Sequence, residues 1–285
     1  MIPAPFEYAK AKNLREALNA LASDNGSKLL AGGHSLLPLM RFRLAQPSRL
    51  VDIGDLPELK GISEKGRGLR IGALTTYREL LDSPLVRERA ALIAEAAHTI
   101  GDIQVRNRGT IGGGLAHADP AADMPAVMLA LDAALVARSK AGKRSIPARE
   151  FFLGPFTTAL APDELLIEVL VPPLPRGART AYVSHEQAAS GYALVGVAVV
   201  VVLSKKVVTQ CHVAITGVSD RAFMAESAAR LVDTKAEPEA IDAVAQGALD
   251  GAEISSDLHA PADYRAHLTR VAVRRALTTA LGRSI

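Results

Sequence analysis

Three consecutive glycines, at positions 112–114, constrain this chain more than any other feature of its sequence. They lie in the stretch TIGGGLAHADPAAD, which covers residues 110–123. Glycine packs no side chain and loses more conformational entropy on folding than other residues, so it is costly inside a helix or strand. The stretch therefore predicts a loop that needs positive φ angles or that closely approaches a ligand or another segment of the chain. Free backbone amides in such a loop can bind phosphate oxygens.

Another glycine-rich stretch, AGGHSLLP at residues 31–38, follows an apolar run that predicts a short strand over 28–31. We call residues 31–38 the first glycine motif and residues 110–123 the second glycine motif. Two such loops suggest two walls of one pocket for a ligand that carries a diphosphate. Neither has the G-x-G-x-x-G spacing of a Rossmann dinucleotide site, and the chain contains no Walker A or H-E-x-x-H pattern. Tight turns between packed helices are the alternative explanation for both motifs.

Hydrophobic periodicity and capping residues predict alternating helices and strands before residue 172. Thr76 with Glu79 is a capping-box pair, and Ser83 followed by Pro84 is a typical helix start. The predicted helices cover residues 13–23, 76–81, 85–100 and 123–131, and the predicted strands cover residues 28–31, 50–53, 69–73, 134–138 and 165–171. The second glycine motif therefore lies between two predicted helices.

A proline-rich stretch, PPLPRG at residues 172–177, predicts a domain boundary. After it, apolar runs at 182–187, 193–203 and 207–216 predict a three-stranded antiparallel sheet, with residues 204–206 as a hairpin turn. Helices are predicted near 221–232, 237–249 and 262–281, and the arginines at positions 265, 270, 274 and 275 are expected on a solvated or subunit-facing surface. These patterns predict an α+β unit after the boundary.

The composition is that of a globular protein, and it argues against several classes of function. The 285 residues are 49% apolar and 22% charged, and the Lys and Arg residues behind the net charge of +3 are scattered, so nucleic-acid binding is not indicated. The single cysteine, Cys211, excludes an intrachain disulfide and an iron–sulfur cluster ligated by this chain alone. We expect no signal peptide, no transmembrane segment and a cytoplasmic location.

Two histidines, two carboxylates and one tyrosine are the candidate functional residues. His34 and His117 each follow a glycine run, but no further ligands at metal spacing accompany them, so metal binding is disfavoured. Asp119 and Asp123 could form an acid–base pair, although their spacing before a helix favours a turn followed by an N-cap. Tyr192 precedes an apolar strand, where it either packs in the core or stacks on a cofactor.

Both glycine motifs closely resemble the FAD-binding motifs of the medium subunits of the molybdenum hydroxylases. This family includes aerobic carbon monoxide dehydrogenase and bacterial xanthine dehydrogenase, and the similarity also covers residues 3–8, 50–56 and 104–108. It implies a vanillyl-alcohol-oxidase-like, PCMH-type FAD domain over 1–176, with α+β subdomains at about 1–56 and 57–176. A small C-terminal α+β domain over 177–285 is implied to follow.

The resemblance also implies that FAD is bound non-covalently between the domains. Residues of the two glycine motifs should hold its diphosphate and ribityl regions, Asp123 should contact the flavin, Leu166 should lie near the ring, and Tyr192 should cover one face of it. The implied cofactor-binding residues are Ala31, Gly32, Gly33, His34, Ser35, Thr110, Ile111, Gly112, Gly113, Gly114, His117, Asp123, Leu166 and Tyr192. No residue of this chain is expected to act as an acid or base on a substrate.

In this family, substrate is hydroxylated at a molybdenum cofactor on a large subunit, and electrons cross two 2Fe-2S clusters on a small subunit. The FAD of the medium subunit then passes the electrons to an external acceptor. The resemblance implies both partners, a dimer of heterotrimers, and a place in the cytoplasm or at the inner face of the membrane. Carbon monoxide, an aldehyde, a purine and another N-heterocycle remain open as substrates, because that pocket would lie on another chain. A self-sufficient FAD oxidase and a scaffold without flavin are the alternative functions.

Overall fold

The computed structural model describes residues 2–24 and 26–283. The helices are α1 (Leu14–Ser23), α2 (Leu36–Arg41), α3 (Tyr77–Asp82), α4 (Pro84–Arg89), α5 (Ala91–Thr99), α6 (Ile103–Arg108), α7 (Ile111–His117), α8 (Asp123–Ala130), α9 (Ala148–Phe151), α10 (Pro238–Gln246) and α11 (Ala262–Ala280). The strands are β1 (Glu7–Lys10), β2 (Ser27–Leu30), β3 (Arg49–Asp52), β4 (Ile62–Lys65), β5 (Gly68–Gly72), β6 (Ala134–Arg138), β7 (Lys143–Pro147), β8 (Phe152–Gly154), β9 (Thr157–Thr158), β10 (Leu165–Val171), β11 (Ala178–Glu186), β12 (Ala193–Ser204), β13 (Val207–Thr216) and β14 (Phe223–Met224). No helix within these residues combines the length and the hydropathy that crossing a bilayer would require.

The first sheet has three parallel strands in the order β1-β3-β2. Its central strand buries Leu50 and Val51, and the buried side chains of α1 belong to the same hydrophobic core as Val51. The start of α1 is as predicted, because the Asn13 side chain accepts a hydrogen bond from the amide of Glu16 at 2.9 Å. Since β2 and β3 end at the same edge, residues 31–35 of the first glycine motif emerge from that edge of the sheet.

The second sheet has five antiparallel strands in the order β4-β5-β10-β6-β7, and β8 and β9 form a small separate pair. Leu69 and Ile71 of β5 and Val169 of β10 are fully buried against the helices that follow β5. Helix α7 packs on β10, with Leu115 in the same core. This packing fixes the second glycine motif against the largest core of the molecule.

Two helices, α4 and α5, replace the single helix predicted over 85–100. Ala90 joins them with φ −153° and ψ 56°, which lies outside the helical region. Its amide still donates to the carbonyl oxygen of Val86 at 2.8 Å, and the amide of Ile93 donates to its carbonyl oxygen at 2.9 Å. Ala90 is fully buried, so packing rather than a helix-breaking residue changes the chain direction here.

The third sheet is antiparallel, with the order β11-β12-β13-β14, and it has one strand more than the predicted three. The extra strand, β14, pairs with Ala214 and Ile215 of β13, and the amide of Ala225 continues the pairing by donating to the carbonyl oxygen of Val213 at 2.8 Å. The helix predicted near 221–232 is therefore wrong in its first part, and Glu226–Leu231 forms a 3-10 helix. Pairing satisfies backbone groups that the edge of β13 would otherwise expose.

Helix α8 lies between this third sheet and the rest of the molecule. Every residue of α8 is buried, and the helix packs on β12 and β13. The hydroxyl of Thr216 donates to the carbonyl oxygens of Pro120 and Ala122 at 2.9 and 2.8 Å, and His212 Nδ1 lies 2.9 Å from the carbonyl oxygen of Ala130. The C-terminal domain, formed by the third sheet with α10 and α11, thus fixes the end of the second glycine motif.

Candidate cofactor site

The structure brings the two glycine motifs close together. Gly32 packs on the chain that leads into the second glycine motif, so closely that a Cβ atom on Gly32 would collide with the carbonyl oxygen of Arg108. A Cβ atom on Gly113 would lie 3.8 Å from the Cβ atom of Ala31. The first glycine motif and the segment around the second, which are distant in the sequence, therefore lie next to each other in the fold.

The second glycine motif is not the loop that its glycines predict. Residues 111–117 form α7, and its N-cap Thr110 accepts a hydrogen bond from the amide of Gly113 at 3.1 Å. The amides of Ile111 and Gly112 donate to carbonyl oxygens in the connection between β5 and α3, each at 2.9 Å. The predicted loop is therefore wrong, and the amides of residues 111–113 already have acceptors within the chain.

Close packing explains the three glycines instead. A Cβ atom on Gly112 would collide with Ala73, and a Cβ atom on Gly114 would collide with the hydroxyl of Tyr77. None of the three has a positive φ angle, so the glycines are needed for space rather than for an unusual backbone conformation. Helix α7 can thus approach the connection between β5 and α3 at a distance that no larger residue would allow.

Unpaired amides do occur in the first glycine motif. Gly33 has φ +78°, and the chain turns there from β2 towards α2. Within residues 2–24 and 26–283, the amides of Gly33, His34 and Ser35 donate to no protein acceptor. The ring Nδ1 of His34 lies 3.0 Å from the carbonyl oxygen of Gly32. Three successive free amide donors in a turn fit an anionic group such as a diphosphate.

Asp123 is a buried carboxylate at the start of α8. Its predicted capping role is wrong, because the N-cap residue is Ala122. The Asp123 side chain instead accepts hydrogen bonds at Oδ1 from the Tyr182 hydroxyl at 2.5 Å and from the Thr99 hydroxyl at 3.4 Å. Burial raises its pKa to about 6, although the Tyr182 hydrogen bond acts in the opposite direction. Oδ2 accepts no hydrogen bond from another described residue.

Tyr192 lines a cleft of about 540 Å³ between the two domains. The side chain is 44% exposed, which excludes the core-packing alternative that the sequence left open. The loop before it is closed by the amide of Gln187, which donates to the Tyr192 carbonyl oxygen at 2.8 Å. Partial burial, together with the carboxylates of Asp119 and Asp123, raises the pKa of the Tyr192 hydroxyl. The phenol therefore lies near the end of the second glycine motif.

Leu166 and His117 both pack against other residues of the N-terminal domain. Leu166 on β10 is 6% exposed and belongs to the same core as Ile111 of α7. The ring of His117, at the end of α7, packs against Phe156 with 5.0 Å between ring centroids, and burial lowers the pKa of its imidazole. The part of the chain that the structure describes forms no group of three or more His, Cys, Asp or Glu side chains that could hold a metal ion.

Arg265 is buried, in contrast to the predicted solvated or subunit-facing position. Its guanidinium donates to the carbonyl oxygens of Leu194 at 2.9 Å and Gly217 at 2.5 Å, and to the Asp257 carboxylate at 2.8 Å. Arg274 on the same helix forms an exposed ion pair, as predicted for a solvated surface. No sequence pattern distinguishes the two arginines, because two of the three acceptors of Arg265 are main-chain carbonyls.

Tyr182, the hydrogen-bond donor to Asp123, is not among the candidate residues that the sequence indicates. One signal for it exists in the sequence, namely the isolated glycine at position 196 within the apolar strand β12. A Cβ atom on Gly196 would collide with the hydroxyl of Tyr182, so the glycine makes room for the phenol on the neighbouring strand. A lone glycine inside a strand commonly marks such a close approach.

Comparison with known proteins gives matches along the whole chain. Residues 4–174 match the FAD binding domain in molybdopterin dehydrogenase, and residues 180–280 match the CO dehydrogenase flavoprotein C-terminal domain. The carbon monoxide dehydrogenase medium chain of Hydrogenophaga pseudoflava is 42% identical over 287 residues, covering 99% of each chain. Subunit alpha of the 6-hydroxypseudooxynicotine dehydrogenase complex of Paenarthrobacter nicotinovorans is 38% identical, covering 100% of this chain and 97% of that one.

Solved structures show the same fold. A chain of the carbon monoxide dehydrogenase from Hydrogenophaga pseudoflava that lacks the Mo-pyranopterin moiety has a TM-score of 0.96 at 42% identity, with 100% of both chains covered. A chain of quinoline 2-oxidoreductase from Pseudomonas putida 86 has a TM-score of 0.93 at 33% identity, with 99% of both chains covered.

An α+β, PCMH-type domain with two neighbouring glycine motifs, followed by a small α+β domain, defines a FAD-binding flavoprotein. The chain belongs to the FAD-binding medium subunits of the molybdenum hydroxylases, a family of oxidoreductases that includes carbon monoxide dehydrogenase. The family resemblance of the glycine motifs and the predicted fold class are thereby confirmed.

Proposed function

We propose that this chain is the flavoprotein subunit of a heterotrimeric molybdenum hydroxylase, in which it binds FAD non-covalently and delivers electrons to an external acceptor. Its partners are a large subunit with the molybdenum cofactor and a small subunit with two 2Fe-2S clusters, assembled as a dimer of heterotrimers. The observation that carries the proposal is the packing of the first glycine motif on residues 108 and 109, directly before the second, in a chain that matches a carbon monoxide dehydrogenase medium chain along its full length.

The cofactor site extends from the first glycine motif to the cleft beside Tyr192. The free amides of residues 33–35 hold the diphosphate, and the glycine surface of α7 lets the cofactor approach the backbone closely. The free oxygen of Asp123 accepts a hydrogen bond from the flavin or ribityl region, while Leu166 forms part of the wall near the ring. Tyr192 covers one face of the ring, which its exposed position on the cleft allows.

Bound FAD supplies the redox chemistry, and the chain binds, orients and shields it. The sequence has a single cysteine, Cys211, which is buried in β13. Since a 2Fe-2S cluster of this kind takes four protein ligands, the clusters must lie on a partner chain. Electrons therefore enter this subunit from outside and leave it to an acceptor, without an acid or base of this chain acting on the substrate.

We place the domain boundary near residue 176 and the boundary between subdomains near residue 56. The change from the second to the third sheet between β10 and β11 supports the first position, and the change from the parallel to the antiparallel sheet supports the second. For the complex we propose the cytoplasm, with peripheral attachment to the inner face of the membrane. The single cysteine of the chain is consistent with a reducing compartment.

The test is a visible absorption spectrum of the protein isolated gently from its native source, with a denaturing gel of the same sample. We expect a flavin band overlaid by broad iron–sulfur absorption, together with one larger and one smaller chain. Flavin on a single chain that oxidises a substrate by itself would replace the proposal with a self-sufficient oxidase. A sample that binds no flavin even after FAD is added would instead indicate a scaffold.

A further inference from the structure

A hydrogen bond between Tyr182 and Asp123 crosses from the C-terminal domain to the candidate flavin site. The Tyr182 hydroxyl on β11 donates to Asp123 Oδ1 on α8 at 2.5 Å. The amide of Tyr182 donates to the Glu95 carboxylate on α5 at 3.0 Å. Tyr182 is thus held at its backbone and at its hydroxyl by two acidic residues of the other domain.

The residues around this pair leave space for the Tyr182 hydroxyl. Gly196 on the adjacent strand leaves the space that the phenol oxygen occupies, and any side chain there would collide with it. The Thr99 hydroxyl makes only a longer contact with the same carboxylate oxygen, at 3.4 Å, because it also donates to the carbonyl oxygen of Ala96 at 2.8 Å. A buried carboxylate is costly unless hydrogen bonds satisfy it. The Tyr182 hydroxyl is therefore the main donor to Oδ1, whereas Oδ2 of Asp123 accepts no hydrogen bond from another described residue.

We propose that Tyr182 is a positioning residue for FAD, whose hydroxyl orients the Asp123 carboxylate so that the free oxygen accepts a hydrogen bond from the cofactor. The inference rests on the proposed function, which places Asp123 in contact with the flavin or ribityl region. FAD carries hydroxyl and ring N–H donors that suit an ionised carboxylate. Tight FAD binding by the N-terminal domain therefore depends on a side chain of the C-terminal domain.

The electrostatic surroundings of Asp123 predict how the pair responds to pH. The other titratable groups that face Asp123 or Tyr182 are Glu186 on β11, Glu95 on α5, Tyr77 on α3 and Tyr192 before β12. Burial and Glu186 favour the protonated carboxyl, while the Tyr182 hydrogen bond favours the ionised form. Loss of the hydroxyl therefore moves the ionisation of Asp123 to higher pH.

The experiment compares full-length Tyr182→Phe with the wild-type chain, using quenching of flavin fluorescence to measure the FAD dissociation constant between about pH 5 and about pH 8. We expect the dissociation constant at neutral pH to rise about tenfold or more, as loss of a hydrogen bond to a charged group predicts. We also expect the midpoint of the pH dependence to move upward. A substitution that only destabilises the fold would weaken FAD binding without moving that midpoint.

Tyr8→Phe is the matched control, because the Tyr8 hydroxyl also donates to a carboxylate, that of Asp52, at 2.7 Å on the exposed first sheet. It should leave FAD binding unchanged. Asp123→Asn distinguishes the contact of Asp123 with FAD from the positioning of Asp123 by Tyr182. If Asp123→Asn weakens FAD binding and Tyr182→Phe does not, the positioning role is overturned and the Asp123 contact stands. If neither variant changes FAD binding, the Asp123 contact in the proposed function fails as well.

Discussion

Gly114 of α7 lies directly against the hydroxyl of Tyr77 of α3, with no space for a side chain between them. Tyr77 is buried, and burial raises the pKa of its phenol. The residue at position 114 and the phenol oxygen therefore compete for the same volume. This relationship sets how closely the helix of the second glycine motif can approach α3.

The competition predicts a rescue experiment. Gly114→Ala should lower the free energy of unfolding by about 1–3 kcal/mol, as overpacking of a core does. Removing the phenol oxygen with Tyr77→Phe in the same chain should recover most of that loss, since the ring carbon behind the oxygen would lie 3.5 Å from the new methyl group. Urea unfolding of the two single variants and the double variant measures the coupling. Strictly additive effects would contradict the contact.

Gly32 provides a second test, this time of FAD binding. Because a methyl group at position 32 would collide with the Arg108 carbonyl oxygen, Gly32→Ala should push the two glycine motifs apart. We expect FAD affinity to fall about tenfold or more, which corresponds to about 1.4 kcal/mol. Gly154→Ala is the matched control, because a Cβ atom on Gly154 would have no neighbour within 4 Å and the backbone there has no positive φ angle. Equal FAD affinity in both variants would show that the contact does not support the site.

Local signals in the sequence were sufficient for many elements of the fold. The Thr76–Glu79 capping box is present with both of its hydrogen bonds, and the strands predicted over 134–138, 165–171 and 207–216 have those bounds in the structure. The hairpin turn at 204–206 is also confirmed, with positive φ angles at Lys205 and Lys206. These features depend on residues that are close together in the chain, so the local sequence is enough to specify them.

The parts that could not be predicted depend on residues distant in the chain. Gly112 and Gly114 favour a loop by propensity, but they lie in a helix at positions where Ala73 and Tyr77 leave no room for a larger residue. The hydrogen bonding of Asp123 likewise involves Tyr182, which reaches it from the third sheet. The resemblance of the whole motifs to a known family identified the cofactor. Glycine content alone predicts a phosphate-binding loop at residues 110–123, whereas residues 111–117 form the helix α7.

Arg265 and Arg274 lie on the same helix but should differ sharply in their effect on stability. Arg265→Ala removes a buried guanidinium that holds the carbonyl oxygens of Leu194 and Gly217, and it should cost about 2–4 kcal/mol of unfolding free energy. Arg274→Ala removes an exposed ion pair and should cost less than about 1 kcal/mol. Chemical denaturation of both variants tests the contrast. Similar small losses would mean that the buried contacts of Arg265 contribute little.

The buried carboxyl of Asp123 predicts a pH dependence of stability in the FAD-free chain. Its pKa is about 6 in the folded state and about 3.9 in the unfolded state, so between these values the folded state binds more protons. The contribution of Asp123 to stability is therefore fully present below the unfolded pKa and is lost as the pH rises through the folded pKa.

Asp123→Asn removes this titration and isolates its effect. The free energy of unfolding of the wild-type chain relative to Asp123→Asn should fall by about 2 kcal/mol between about pH 4 and about pH 7, because a shift of one pKa unit corresponds to about 1.4 kcal/mol and the unfolded carboxyl is itself half ionised near pH 4. Urea unfolding of both chains across this range gives the difference directly, and the pH dependence of all other groups cancels. A difference that stays constant with pH would mean that burial does not raise the pKa of Asp123 in the folded protein.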